Sequence, residues 1–178
     1  YGRSKRFYTE VGVEHRAEGF VLLLDGKPAR TKLRNPLAAE TPVAARMLAA
    51  EWAAQGEHIT PATMPVTRML HAAIDHVAGA MRETRDDIVK YAGSDLVCYR
   101  AGEPEALVAR QRAHWDPVLR YIETRYGGRF ILCEGIRFVE QPQAAVAGIR
   151  GRVEAVVMPS ELAAVHVLTT LSGSALIA

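Results

Sequence analysis

The chain has 178 residues, 49% hydrophobic and 24% charged, with a net charge of +2. That balance describes an ordered globular protein with one sizeable core or two small subdomains, and excludes a disordered chain. The basic residues are mostly Arg, 18 against 4 Lys, and no run concentrates them, so the basic stripe of a nucleic-acid binder is missing.

The first 40 residues read as β. "RFYTEVGVE" alternates, with Phe7, Thr9, Val11 and Val13 on one face. "GFVLLLDGKPAR" is an apolar run broken by Asp25-Gly26, a pair that accepts the positive φ of a tight hairpin turn. A small antiparallel sheet is expected, packed on helices because a hairpin alone is marginal. After Glu40 the period becomes helical. "TPVAARMLAAEWAAQG" offers Thr41 as cap, Pro42 at the first position and Gly56 as stop, with Met47, Leu48 and Trp52 near one face. "PVTRMLHAAIDHVAG" carries an apolar stripe of Val66, Met69, Leu70, Ala73, Ile74 and Val77. "MRETRDDIVKYAG" is a charged helix with Arg82/Asp86 and Asp86/Lys90 pairs. "SDLVCYRAG" is short and strand-like or irregular. A long helix runs from Pro104 to about Tyr126, with Val108, Trp115, Leu119, Ile122 and Tyr126 near one stripe. Pro117 either starts a new helix after an Asp116 cap or kinks one long helix. "RFILCEGIRFVEQP" reads as two short strands around Gly135. "PQAAVAGIRGRVEAVV" turns Val146, Ile149, Val153, Val156 and Val157 to one face, with its glycines marking close packing.

Pro159 opens the last helix. "LAAVHVLTTLSGSALIA" carries no Asp, Glu, Lys or Arg, but its His, Thr, Ser and Gly make it a buried helix of a soluble protein, not a membrane span. Because it stops inside its own pattern, the natural protein is expected to continue past Ala178. The residues from Tyr1 onward do not read as a secretory or transit peptide. The expected architecture is α+β: a β-rich subdomain over 1–40, then a helical subdomain over 41–178.

The chemical candidates are thin. His71 and His76, five apart, point about 140° away from each other on a helix and cannot share a metal. His71 with Asp75 reads as a solvated pair on the polar side of its helix. Cys98 and Cys133 sit among apolar residues, as buried thiols of a reducing compartment do. No phosphate-binding glycine loop and no GxSxG occurs. A rival reading keeps a small cytosolic enzyme with Cys98 or His71 in its site.

Taken together, "KRFYTEVGVE", "GFVLLLDGKPARTKLRNPL", "EWAAQGEHITPATMPVTRML", "DDIVKYAGSDLVCYRA", "RQRAHWDPVLRYIETRYGGRF" and "LTTLSGSALIA" resemble a family of assembly chaperones of the ATP synthase catalytic head, the ATP-twelve family. The resemblance covers nearly the whole chain, and YAGSDLVCYRA and HWDP are its most specific pieces. It implies a β-rich part followed by an orthogonal helical part. It also implies a non-enzymatic chaperone that holds the unassembled α subunit, with no cofactor, no nucleic acid and no membrane insertion. The implied location is the bacterial cytoplasm, or the mitochondrial matrix in a eukaryote. On that reading Asp95, Tyr99, Arg100 and Trp115 are partner-binding candidates, with Leu171 and Leu176 on the last helix. Internal roles compete in the same segments: Trp115 as core, Asp116 as helix cap, Asp95 as a cap of LVCYR or an Arg partner. The apolar last helix is further expected to drive self-association.

Overall fold

Two turns set the N-terminal sheet. In the computed structural model, which describes residues 4–178, β1 (Val11–Arg16) pairs antiparallel with β2 (Gly19–Leu24) across the Ala17-Glu18 turn. Gly19 closes that turn at φ 110°, where a Cβ would stand 2.7 Å from the Ala39 carbonyl oxygen. The Asp25-Gly26 turn, with φ of 48° and 74°, leads to β3 (Lys27–Pro28), as its sequence predicts. Asp25 also ties the entry of the hairpin, since its Oδ1 accepts the Thr9 and Glu10 amides at 2.9 and 2.7 Å. Those hydrogen bonds hold its carboxyl below the usual range. Both β3 and β4 (Ala38–Ala39) pair with β2, so β2 is central and β1 is an edge.

The alternation expected for the first strand is out of phase. Phe7 is 70% exposed, whereas Tyr8 is buried and donates its hydroxyl to the Trp52 carbonyl at 2.7 Å. Regular pairing begins only at Val11, so the residues before it are not held to a period of two. Helix α1 (Pro42–Ala53) starts as its sequence predicts, with Thr41 Oγ1 accepting the Ala44 amide at 3.2 Å and Pro42 at the first turn. It buries Ala45 and Leu48, while Met47, placed near the same face by sequence, is exposed because it lies a full 100° step from Leu48. Helix α2 (Pro65–Ala72) lacks a cap of its own at Met64. Glu51 of α1 supplies one: its carboxylate accepts the Val66 and Thr67 amides at 2.7 and 2.8 Å. A wider, π-type turn over Ala73–Val77 continues α2 and keeps Ala73 buried beside Leu70. Leu22, Leu37, Leu48 and Leu70 form the centre of this core.

These elements belong to one compact unit, residues 1–80 with 158–163; the second comprises 81–157 with 164–178. The change from strand to helix near residue 40 falls inside the first. In the second, helix α3 (Met81–Ala92) packs on α5 (Gln143–Glu154), joined by an ion pair of Arg150 with Asp86 at 2.7 Å that holds the Asp86 carboxyl low. Helix α4 (Glu105–Tyr126) also packs on α5 and runs unbroken through Pro117, which settles the choice between two helices and one. Gly148 lies where a Cβ would stand 2.5 Å from the Tyr126 carbonyl oxygen, the close packing its sequence suggested; Gly151 faces open space. α5 ends at Glu154, so Val157, placed on its apolar face by sequence, is exposed beyond it.

The two strands expected around Gly135 reduce to one. Only β6 (Cys133–Glu134) forms, pairing parallel with β5 (Tyr99–Arg100), and among the described residues those after the Gly135 turn have no ladder partner. Helix α6 (Pro159–Ser172) is less buried than its composition suggests. Leu162, Ala163 and Thr169 are inside, but Val167, Leu168 and Leu171 are exposed. Among the described residues no helix is long and apolar enough to cross a membrane.

Candidate interaction surface

The YAGSDLVCYRA segment folds as a knot in the second unit. Asp95 follows α3 and caps a 3-10 turn over Leu96–Cys98, its Oδ1 accepting the Val97 amide at 3.1 Å. Its Oδ2 accepts the Leu176 amide at 3.1 Å, and the Leu96 amide donates to the Gly173 carbonyl at 3.1 Å. Gly173 takes φ 70°, which reverses the chain after α6 and lets Ser174 to Leu176 return to Asp95. Two separate sequence signatures, YAGSD and SGSAL, are therefore one structural device. Asp95 has no exposed surface, and its carboxylate is directed to internal partners. Burial raises its carboxyl above the ordinary range, and hydrogen bonds from Ser174, Val97, Leu176 and Ala175 only partly oppose this.

Cys98 is buried behind this turn. Burial, and then the charge of Asp95, push its thiol up to about 12. A thiol so raised has almost no thiolate near neutrality, and therefore no nucleophile. His71, the other candidate of the enzyme reading, lies on α2 in the first unit. Burial lowers its pKa against the opposing pull of Asp75. Asp75 is not a solvated partner of His71. It accepts the Thr31 hydroxyl at 2.5 Å, the Asn35 amide group at 2.9 Å and the Leu33 amide at 3.2 Å, and so holds the 31–35 turn. Those bonds outweigh the effect of burial and leave its carboxyl low. Among the described residues no cluster of three or more His, Cys, Asp or Glu could hold a metal.

Arg100 joins β5 to α4. Its Nε donates to the Val97 carbonyl at 2.7 Å, its Nη1 lies 2.8 Å from Asp116 Oδ1, and its guanidinium sits 5.5 Å from the centre of the Trp115 ring. Its side chain is 11% exposed. The HWDP signature is thus the helical half of an arginine clamp. Asp116 is an ion-pair partner inside a continuous helix, not a helix cap, and Trp115 is half-buried under the guanidinium. Tyr99, half-buried, pairs with Cys133.

Beside the clamp lies a surface that sequence reasoning missed. α4 has one fully buried residue, Ile122, in its six turns. A cavity of about 560 Å³ runs along it, lined by Leu119, Arg120, Glu123, Phe130 and Leu132 among others. The following loop is closed by Gln141, whose buried amide accepts the Ile131 N–H at 2.8 Å and donates to the Ile131 carbonyl at 3.0 Å. Beyond it Ile136 is 98% and Phe138 66% exposed, with Ile131 and Leu132 also open. The same apolar spacing that suggested two strands places these side chains outside, because no second strand forms to bury them. The last helix adds a second apolar face, with Leu171 80% exposed. Leu176 is buried on the Asp95 knot and is not part of that face.

The family model of the ATP12 chaperone protein matches residues 5–123. The crystal structure of the Atu1473 protein from Agrobacterium tumefaciens is similar over 97% of this chain, with 46% identity and a TM-score of 0.91. That of Atp12 from Paracoccus denitrificans is similar over 98%, with 35% identity and a TM-score of 0.90. The chain spans 65% of the length of the Agrobacterium protein and 74% of the Paracoccus protein.

Proposed function

The chain belongs to the ATP12 chaperone family, and from that premise we propose that it is a non-enzymatic chaperone of ATP synthase assembly whose client is the unassembled α subunit of the catalytic head. The observation that carries the reading is the family match over residues 5–123, which includes Asp95 and the Arg100 clamp in one continuous span. The open apolar loop from Ile131 to Phe138 supports it physically. An unassembled subunit of a ring exposes an apolar interface that aggregates unless covered, and a reversible cover needs apolar anchors of its own. Ile136 and Phe138 supply them, and Arg100 with Trp115 braces the surface behind. The enzyme reading loses its nucleophile with Cys98 buried and its thiol raised. Both bacterial relatives favour the bacterial cytoplasm as the site of action. The exposed Val167, Leu168 and Leu171 face of α6 is the place at which self-association through the last helix would act.

The test is retention of the α subunit by the purified protein, against the β subunit as control. Ile136→Ser with Phe138→Ser is expected to lower retention of α about tenfold or more, as loss of central apolar anchors does. Equal retention of α and β, or of α by wild type and the double variant, would refute the client or the surface respectively.

A further inference from the structure

Among the described residues no strand pairs with the outer edge of β1, and its pattern of free backbone groups is fixed by the register. The Asp25 amide donates to the Glu10 carbonyl at 3.0 Å, so Glu10 and Asp25 form a hydrogen-bonded pair. Bonded and non-bonded pairs alternate in an antiparallel ladder. With Val11 opposite Leu24 and Arg16 opposite Gly19, the bonded residues of β1 are Gly12, Glu14 and Arg16. The far edge of β2 agrees, since the Leu22 amide donates to the Leu37 carbonyl at 2.9 Å, away from β1. Val11, Val13 and His15 therefore turn their N–H and C=O groups outward, and among the described residues none of these groups has a partner. Residues 12–16 are exposed.

We propose that this edge is a pairing surface for a second copy of the chain, in antiparallel register about a two-fold axis through Val13. The charges select that occupant and that register. Pairing about Val13 sets Val11 opposite His15 of the second copy, Gly12 opposite Glu14, and Glu10 opposite Arg16. Each Arg16 already lies 2.5 Å from Glu14 of its own strand, so a row of Glu14, Arg16 and Glu10 of the second copy forms twice. Glu14 lies over Gly12, which has no side chain to obstruct it. A register shifted by one pair either way fails: an axis through Glu14 sets Glu14 against itself, and an axis through Gly12 sets Glu10 against Glu14. Like charges directly opposite destabilise a strand pair, and opposite charges stabilise it. The three outward residues of each copy supply six backbone hydrogen bonds across the axis. So short an interface sits at the small end of the range and gives a weak, concentration-dependent dimer. The charges that self-pair here also discourage other strands, the usual protection of a free edge. The inference is independent of the client proposed above.

Sedimentation of the purified protein over a wide concentration range reads the result. A weak dimer is expected. Val13→Pro removes an outward N–H and leaves pairing with β2 intact, as edge proline does. It should raise the dissociation constant about tenfold or more. Glu10→Arg should raise it roughly three- to tenfold, and Glu10→Arg with Arg16→Glu should restore it. Glu10→Arg keeps the test open should Val13→Pro not fold. A protein monomeric at every concentration overturns the proposal, as does a dimer indifferent to Val13→Pro and Glu10→Arg. A dimer lost on Leu171→Ser alone would instead place the contact on α6. A monomer whose retention of the α subunit falls on Val13→Pro would give the edge to the client.

Discussion

The two units bury their apolar residues to different degrees. In the first, Leu22, Leu37, Leu48 and Leu70 converge on one closed core under a sheet, and the polar groups at its margin are paired internally: Glu51 caps α2 and Asp75 holds a turn. In the second, a six-turn helix has one fully buried residue and an eight-residue loop leaves four large apolar side chains open. Composition does not separate the two. What separates them is whether each apolar stripe finds a second element to cover it. The first unit closes its core, and the second leaves more of its apolar side chains uncovered.

Breaking the closed core should have the largest effect. Leu22→Ala removes a side chain with no exposed surface from the centre of the sheet, and should cost about 2–5 kcal/mol in urea unfolding. Less than about 1 kcal/mol would mean that the core is looser than its burial indicates.

The second unit is held by a polar knot, and so responds to pH differently. Asp95→Ala should cost roughly 1–3 kcal/mol for each buried amide left without an acceptor, and should release Ser174 to Leu176 to hydrogen exchange. The sign of the pH effect follows from the direction of each shift. The Asp95 carboxyl is raised, so its contribution is full below about pH 3.9 and is lost as pH rises through the folded value. Asp75 is lowered, so its contribution is present above about pH 3.9 and is lost as pH falls through the folded value. Asp95→Asn should flatten the decline on the rising side, and Asp75→Asn the decline on the acid side. Urea midpoints from about pH 3 to 7 would check both, and identical profiles for the two variants would remove the distinction.

Much of the fold was legible in the sequence, and the failures share a cause. Thr41-Pro42, Asp25-Gly26 and the α4 span carry their signals within a few residues, and the structure follows them. Phe7, Met47, Val157 and the second strand after Gly135 depend on what lies opposite, which local periodicity does not encode. The candidate site divides the same way. Arg100, Trp115 and Asp116 were singled out one by one, but only folding brings β5 and α4 together as a clamp. Asp95 reads as a partner-binding candidate or a local cap; the Val97 cap is local and does form, but the Leu176 amide that it also accepts lies 81 positions away. Ile136 and Phe138 were missed because apolar alternation usually means burial, and here the covering strand is absent.

The smallest effect on stability sharpens the comparison most. Ile136→Ser changes a side chain that touches little, and should leave the urea midpoint equivalent to within about 0.5 kcal/mol. A large loss would mean that the loop belongs to the core and is not free for a partner.

The bond from Asp95 to Leu176 spans 81 positions, and the first unit too recruits residues 158–163 from late in the chain. Each unit therefore waits on translation. At about 5–20 residues per second, the ribosome needs roughly 4–16 s between adding Asp95 and adding Leu176. Through that interval the Asp95 carboxylate lacks the Leu176 amide and remains hydrated and ionised. Closure is then a single late event in biosynthesis, in which one returning turn dehydrates the acid and locks the 3-10 segment, so that nascent chains stalled before Gly173 should remain sensitive to protease at Leu96.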